Sequence, residues 1–389
     1  MNIFTKYYHN KLMTKVSKYL SLYSNSPKTV ALKLIFWNLK FVFSRYKSIK
    51  TFNDNLQHIA IEILGGIGDQ IIGARYVEAL SHSLSENVKI DILCEAQDLR
   101  SLQTIFCNKT FINSIQIDKK QIEYDLKIRL IRFPIVLSYL PHRLDENTLR
   151  YVQQLEEFNK KHSELFGNDY LARCWSLMNK QTRIDQADFN NYLHLSELDF
   201  VLNITEDYKA VLDKFNLSNT KFITIQTGAG YHFQNIKNEV RSWPIGSYNQ
   251  LVKMLKKKYP QYKLVQIGEQ KQSKIDGLDI DLRGKTSLEE LFVLLKYASL
   301  HVSQEGGMPI IRHFVKGGIS VVLFGPTDEN FIGFEENINI SNRKCFGVCE
   351  WINQDWVRKC AHTGNNAECM QNITPEMIMN KIQKCGVLK

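Results

Sequence analysis

The chain has 389 residues, of which 44% are hydrophobic and 23% charged, and its formal net charge is +10. That length exceeds what one hydrophobic core organises and makes two domains the expectation, and the composition is ordinary for a soluble globular protein. Residues 1–50 hold ten Lys and Arg and no Asp or Glu, so they carry the whole excess and leave a neutral body, which argues against a nucleic-acid partner.

The basic arm also carries Phe4, Tyr7, Tyr8, Tyr19, Tyr23, Phe36, Trp37, Phe41 and Phe43, and from Lys28 to Phe43 apolar residues and lysines alternate at roughly helical spacing. One reading is an interfacial helix on an anionic membrane surface. The other is a helix docked on the body with its lysines in water. Its longest apolar run falls well short of the ~20 residues that span a bilayer. It also lacks the apolar core and cleavage site of a signal peptide, so a cytoplasmic, reducing location is expected, peripheral at the inner membrane if the arm binds lipid.

Next in the chain, His58–Leu64 reads as a strand, ending in Gly65-Gly66-Ile67-Gly68-Asp69 and followed by a helix to about Leu84. Val88–Leu93 is the next strand, so this is an opening βαβ unit. From Tyr124 to Leu202 the pattern is mixed, with a helix near Tyr151–Phe166. A second series begins at Lys221–Gln226 and runs into Thr227-Gly228-Ala229-Gly230. Pro244 suits a first helical turn, the helix reaching Lys258. Tyr262–Ile267 is a strand ending in Gly268-Glu269. Thr286–Ala298 is an amphipathic helix capped by Thr286 or Ser287. Strands at 299–303 and 319–324 follow, ending in Glu305-Gly306-Gly307 and Gly325-Pro326-Thr327-Asp328, and Pro375–Lys384 closes the chain as a helix.

Ligands of open α/β sheets bind beyond the carboxyl ends of the strands, where all these glycine-rich turns lie. Gly66-Ile67-Gly68 fails as a dinucleotide fingerprint because Ile71 occupies the third glycine position, and Gly284-Lys285-Thr286 fails as a phosphate loop because Asp279 stands where its first glycine belongs. Asp69 reads either as a helix cap or as a carboxylate placed to take a proton from a substrate hydroxyl. Thr227 and Gly228 read as a plain turn or as amides free for an anion. Arg241, just before a helix start, is a solvated surface charge or a phosphate grip. Glu269 is a surface charge or an acceptor for ribose hydroxyls. Gly306 and Gly307 allow close approach of a ligand to the backbone beside Glu305.

Taken in order, the Gly-Asp loop, Thr-Gly loop, Arg-x-Trp-Pro, Gly-Glu, Gly-Lys-Thr-Ser-Leu helix, Glu-Gly-Gly loop and Phe-Gly-Pro-Thr resemble glycosyltransferase family 9, the ADP-heptose heptosyltransferases, over about residues 58–382. The resemblance implies an α/β protein of GT-B architecture, two Rossmann-like domains facing across a cleft, here with a basic N-terminal helical extension. The divisions expected are 1–55 for the extension, 56–205 for an acceptor domain, 206–372 for a nucleotide-sugar donor domain and 373–389 for the closing helix. It implies inverting transfer of a heptose from ADP-heptose, a nucleotide-diphosphate sugar, to a lipopolysaccharide core or other surface glycan. Asp69 would be the general base. Thr227, Gly228 and Arg241 would stabilise the leaving diphosphate without a catalytic metal, Glu269 would bind ribose, and Glu305, Gly306 and Gly307 would hold the donor sugar.

The sequence departs from the family at Glu305 in place of Asp, Gly306 in place of Thr, Ile310 in place of His with His313 nearby, and Arg75 where many members have Pro. The Glu-Gly-Gly form resembles a subset that includes autotransporter heptosyltransferases, which gives Ser or Thr hydroxyls of an adhesin as an alternative protein acceptor. A third alternative is a nucleotide-sugar-binding partner without catalysis. Cys345, Cys349, Cys360 and Cys369 suit a tetrahedral thiolate site for structural zinc or iron, or else four reduced cysteines under a loop. They resemble the iron-binding cysteine finger of that subset.

Overall fold

The computed structural model describes residues 52, 54–85, 87–118, 122–228, 240–345, 348–349, 358–364 and 367–389. The expected interfacial helix of the basic arm lies outside the described residues, as do Ala229 and Gly230 of the Thr-Gly loop. No helix among the described residues is long and apolar enough to cross a membrane.

Two open sheets organise the chain. In the first, β1 (Gln57–Ile63), β2 (Val88–Cys94), β3 (Ile112–Ile117), β4 (Leu126–Leu130) and β5 (Pro134–Tyr139) lie in the order β3-β2-β1-β4-β5. All pairs are parallel except β4 with β5. In the second, β6 (Phe222–Ile225), β7 (Lys263–Gln266), β8 (Ile280–Asp281), β9 (Leu300–Gln304), β10 (Ser320–Phe324) and β11 (Ile338–Ser341) lie in the order β11-β10-β9-β6-β7-β8, all parallel. Each order reverses beside the first strand of its half, the switch point at which doubly wound sheets bind nucleotides. The central strands read as they do because both faces are covered: every residue of β6, β9 and β10 is buried.

The helices are α1 (Ile67–Ser83), α2 (Leu99–Ile105), α3 (Glu146–Lys161), α4 (Asp169–Met178), α5 (Tyr208–Lys214), α6 (Ile245–Lys258), α7 (Leu288–Tyr297), α8 (Gly307–Phe314), α9 (Glu329–Ile332), α10 (Glu368–Gln371) and α11 (Pro375–Cys385). Ser287 caps α7, accepting from Glu290 N–H at 3.1 Å while the Glu290 carboxylate accepts from Ser287 N–H at 2.9 Å. Pro244 stands at the N-cap of α6, one position before the first turn expected for it. The closing helix α11 packs its Ile378, Met379 and Ile382 into the second lobe, in one cluster with Leu251 and Leu255 of α6.

Helix α1 is buried nearly all round, from Ile71 and Ile72 to Ala79 and Leu80, because it has a sheet on one side and the second lobe on the other. Its partner there is α8, and the two approach closely only because of glycine. A Cβ on Gly68 would lie 2.7 Å from Ile310 Cδ1, and one on Gly307 would lie 2.4 Å from Ile67 Cγ2. Gly307 therefore permits the close lobe-to-lobe contact. Gly306, at φ +149 with nothing within 4 Å of where a Cβ would stand, is needed for its backbone conformation and leaves open space.

Candidate active site

The loops at the strand ends of both sheets enclose a cavity of about 870 Å³ between the lobes. Asp69, Arg241, Glu269, Glu305, Gly306 and Gly307 all line it. Residues from the two halves of the chain are thus brought to one place. Thr227 and Gly228 are not among the lining residues. The Thr227 side chain is buried under its loop, donating to the Ser273 carbonyl at 2.8 Å and accepting from Gln266 Nε2 at 3.2 Å. Its hydroxyl is thereby used in holding the β6 and β7 turns together. His313 is turned away, stacked on Phe334 at 3.9 Å and paired with Glu336 at 2.5 Å, while Ile310 lines the cavity.

Asp69 closes back on the helix start, as its cap reading expects, and it also lines the cavity. As the third residue of α1 it folds back to accept from Gly66 N–H at 3.2 Å, and Gly65, at φ +112, leaves room for its carboxylate. The other oxygen faces two guanidinium groups: Arg183 donates to it at 2.6 Å and Arg132 at 3.2 Å. Burial raises the Asp69 pKa, but the Arg183 and Arg132 charges and the bonds from Arg183 and Gly66 outweigh it, so the carboxyl lies below its ordinary 3.8. Arg132 is shared with Asp169 at the start of α4, at 3.2 Å. Arg132, Asp169, Arg173, Arg183 and Gln186 also line the cavity, and sequence reading singled out none of them.

From the second lobe, the Arg241 guanidinium donates to Glu305 at 2.8 Å, with the two side chains 12% and 8% exposed. A glutamate has the extra methylene to make this reach from the β9 end. The pair holds a buried cation at the cavity rather than letting it extend into solvent. Glu269 lines the same cavity, its N–H donating to Gln272 Oε1 at 3.2 Å.

The four cysteines of the 345–369 stretch lie close enough for their charges to act on one another. Burial, then the Cys349 charge, pushes the Cys369 thiol up to about 12, whereas at Cys360 the amides of Thr363, His362 and Glu368 overcome burial and lower the pKa. No disulfide joins them. Among the described residues, no group of three or more His, Cys, Asp or Glu is already drawn together as a metal would hold it, so the four thiols are neighbours here and not a closed coordination shell.

No protein-family model matches the sequence, and no curated protein matches it. Solved structures do. The E. coli ADP-heptose LPS heptosyltransferase II aligns at 14% identity over 84% of this chain and 98% of its own, with a TM-score of 0.52. The iron-containing dodecameric glycosyltransferase TibC from enterotoxigenic E. coli aligns at 14% identity over 85% of this chain and 77% of its own, with a TM-score of 0.56. TibC in complex with ADP-D-beta-D-heptose gives 13%, 86%, 77% and 0.55. Likeness at these identities shows the fold alone: the chain has the two-lobed GT-B fold of these solved transferases.

Proposed function

We propose that the protein is an inverting glycosyltransferase that moves a heptose from ADP-heptose to a lipopolysaccharide core or related surface glycan. The observation that carries the reading is the shared cavity, lined by the Asp69 carboxylate from one lobe and by the Arg241–Glu305 pair and Glu269 from the other. In this reading Arg241 is drawn from Glu305 towards the diphosphate as negative charge grows on the leaving group. Glu269 accepts from the ribose, and Asp69 takes the proton of the attacking hydroxyl. The binding of ADP-D-beta-D-heptose by TibC supports the choice of donor.

Calorimetric titration with ADP tests the donor wall. Arg241→Ala is expected to weaken ADP binding by about 10- to 100-fold, the size of a charge-assisted hydrogen bond of roughly 1.5–3 kcal/mol. Equal affinity in the variant would remove Arg241 from the donor site. Absence of ADP binding by the wild type would remove the donor altogether.

Two further parts belong to the proposal. The thiolate-suited set of Cys345, Cys349, Cys360 and Cys369 holds one structural zinc or iron, with no part in catalysis. Elemental analysis of the purified protein should give about one metal per chain, lost when Cys360 and Cys369 are replaced by Ser; a metal-free wild type rules it out. The basic arm keeps the enzyme on the cytoplasmic face of an anionic membrane. Co-sedimentation with phosphatidylglycerol vesicles should disappear on deletion of residues 1–50, and persistence of binding would place the membrane contact elsewhere.

A further inference from the structure

The segment from α4 to Gln186 connects the lobes through side chains that donor binding does not explain. Arg183 has ends in different lobes. Its backbone N–H donates to the Phe331 carbonyl of the second lobe at 2.8 Å. Its guanidinium, 8% exposed, donates to Asp69 at 2.6 Å and to the Ile131 carbonyl at 3.3 Å. Earlier in the segment, Arg173 donates to Asp328 of the second lobe at 3.2 Å, both side chains being largely buried. Asp328 in turn caps α9, accepting from Asn330 N–H at 3.0 Å. The turn of residues 328–332 is therefore docked on the first lobe at two points, and one of them continues directly to Asp69.

Arg132 does not have this character. It is 23% exposed and divides its bonds between Asp69 and Asp169 within the first lobe. The charged groups facing Asp69 are thus Arg132 from the β4–β5 turn and Arg183 from the segment after α4, with Asp169 beyond Arg132. Helix α8 presents Ile310 and the Gly307 backbone towards Gly68 beside it.

We propose that Arg183 is a positioning residue that couples the docking of the second lobe's 328–332 turn to the orientation of the Asp69 carboxylate. The inference rests on the glycosyl-transfer reading above. A guanidinium fixed at its main chain by one lobe and at its fork by the other moves whenever the lobes separate. Asp69 then loses its shortest bond and the larger of the two charges that offset its burial, keeping only that of Arg132. Engaged lobes hold the carboxylate ionised and in a single orientation, and the proximity advantage of a fixed base depends on that orientation.

The experiment follows ADP release from ADP-heptose with inner-core lipopolysaccharide as acceptor, using the full-length protein. Arg183→Gln is expected to lower kcat by about 30-fold or more with KM for ADP-heptose within about threefold, and Arg183→Lys to recover part of the loss. The pH profile separates positioning from simple structural damage. The wild-type rate should be nearly level down to about pH 5, whereas the acid limb of the Arg183→Gln profile should move to higher pH by about the 1–3 units that an adjacent Arg commands. Asp328→Asn, outside the cavity lining, serves if Arg183→Gln does not fold, and should lower kcat by about fivefold at unchanged KM. A wild-type kcat and pH profile in Arg183→Gln, or in its absence a wild-type kcat in Asp328→Asn, overturns the coupling alone. An inactive wild type overturns the transferase reading and the coupling with it.

Discussion

Asp69→Asn should reduce glycosyl transfer by about 10²- to 10⁴-fold, the usual contribution of a positioned general base, while leaving ADP affinity within about threefold. The separation is expected because Asp69 stands on the first lobe and the Arg241–Glu305 pair on the second. The low pKa of Asp69 makes it a weak base, yet suits this reaction. The acceptor hydroxyl becomes acidic only as its oxygen bonds to the anomeric carbon, so an ionised and well-placed carboxylate is sufficient. The sign of the pH effect follows. A carboxyl held below 3.8 is ionised throughout the physiological range, so its pairing stabilises the fold above the unfolded value and is lost as pH falls through the folded one. Steady-state transfer assays and ADP titration together decide the matter; a variant with full transfer rate would exclude Asp69 as the base.

The largest expected stability effect is at Arg312. Its side chain is 1% exposed, and its bonds run to carbonyls: Leu295, Ala298 at 2.9 Å, and Gly318 and Ile319 at 3.2 Å each. Leu295 and Ala298 lie at the C-terminal end of α7, where a cation also meets the negative end of the helix dipole. Gly317 packs so closely that a Cβ there would lie 2.9 Å from Arg312 Cγ. Arg312→Ala would strand these carbonyls and open a cavity, at a cost of about 3–5 kcal/mol. The melting temperature should fall by on the order of 10 °C for a lobe of this size. Thermal unfolding followed by circular dichroism measures it, and a change below about 1 kcal/mol would show that water or rearrangement satisfies the carbonyls equally well.

The strands ending in glycine turns were legible because they are apolar runs bounded by residues that permit sharp reversal. β1, β2, β6, β7, β9 and β10 lie within a residue or two of where the sequence puts them. The hairpin of β4 and β5 was not resolved, since Lys127, Arg129 and Arg132 interrupt its apolar residues with long charged side chains that turn outwards or pair with distant carboxylates. At the site, residues next to strand ends were readable and those reaching in from elsewhere were not. Arg132 and Arg183 lie 63 and 114 positions from Asp69, and no local pattern marks them. The Thr227 hydroxyl gives the converse case: the loop is where the motif implies, but its side chain has a neighbour at Ser273 that composition does not reveal.

Strand direction also governs how the chain assembles. In the second sheet every neighbour runs the same way, so no two of its strands can zip together from a tight reversal, and each pairing waits for an intervening crossover to be closed. The first sheet has one opposed pair, β4 with β5, whose ends are three residues apart and can meet almost at once. As the chain leaves the ribosome, the earlier half therefore has a fast local nucleus, and the later half must hold its unpaired edges exposed for longer.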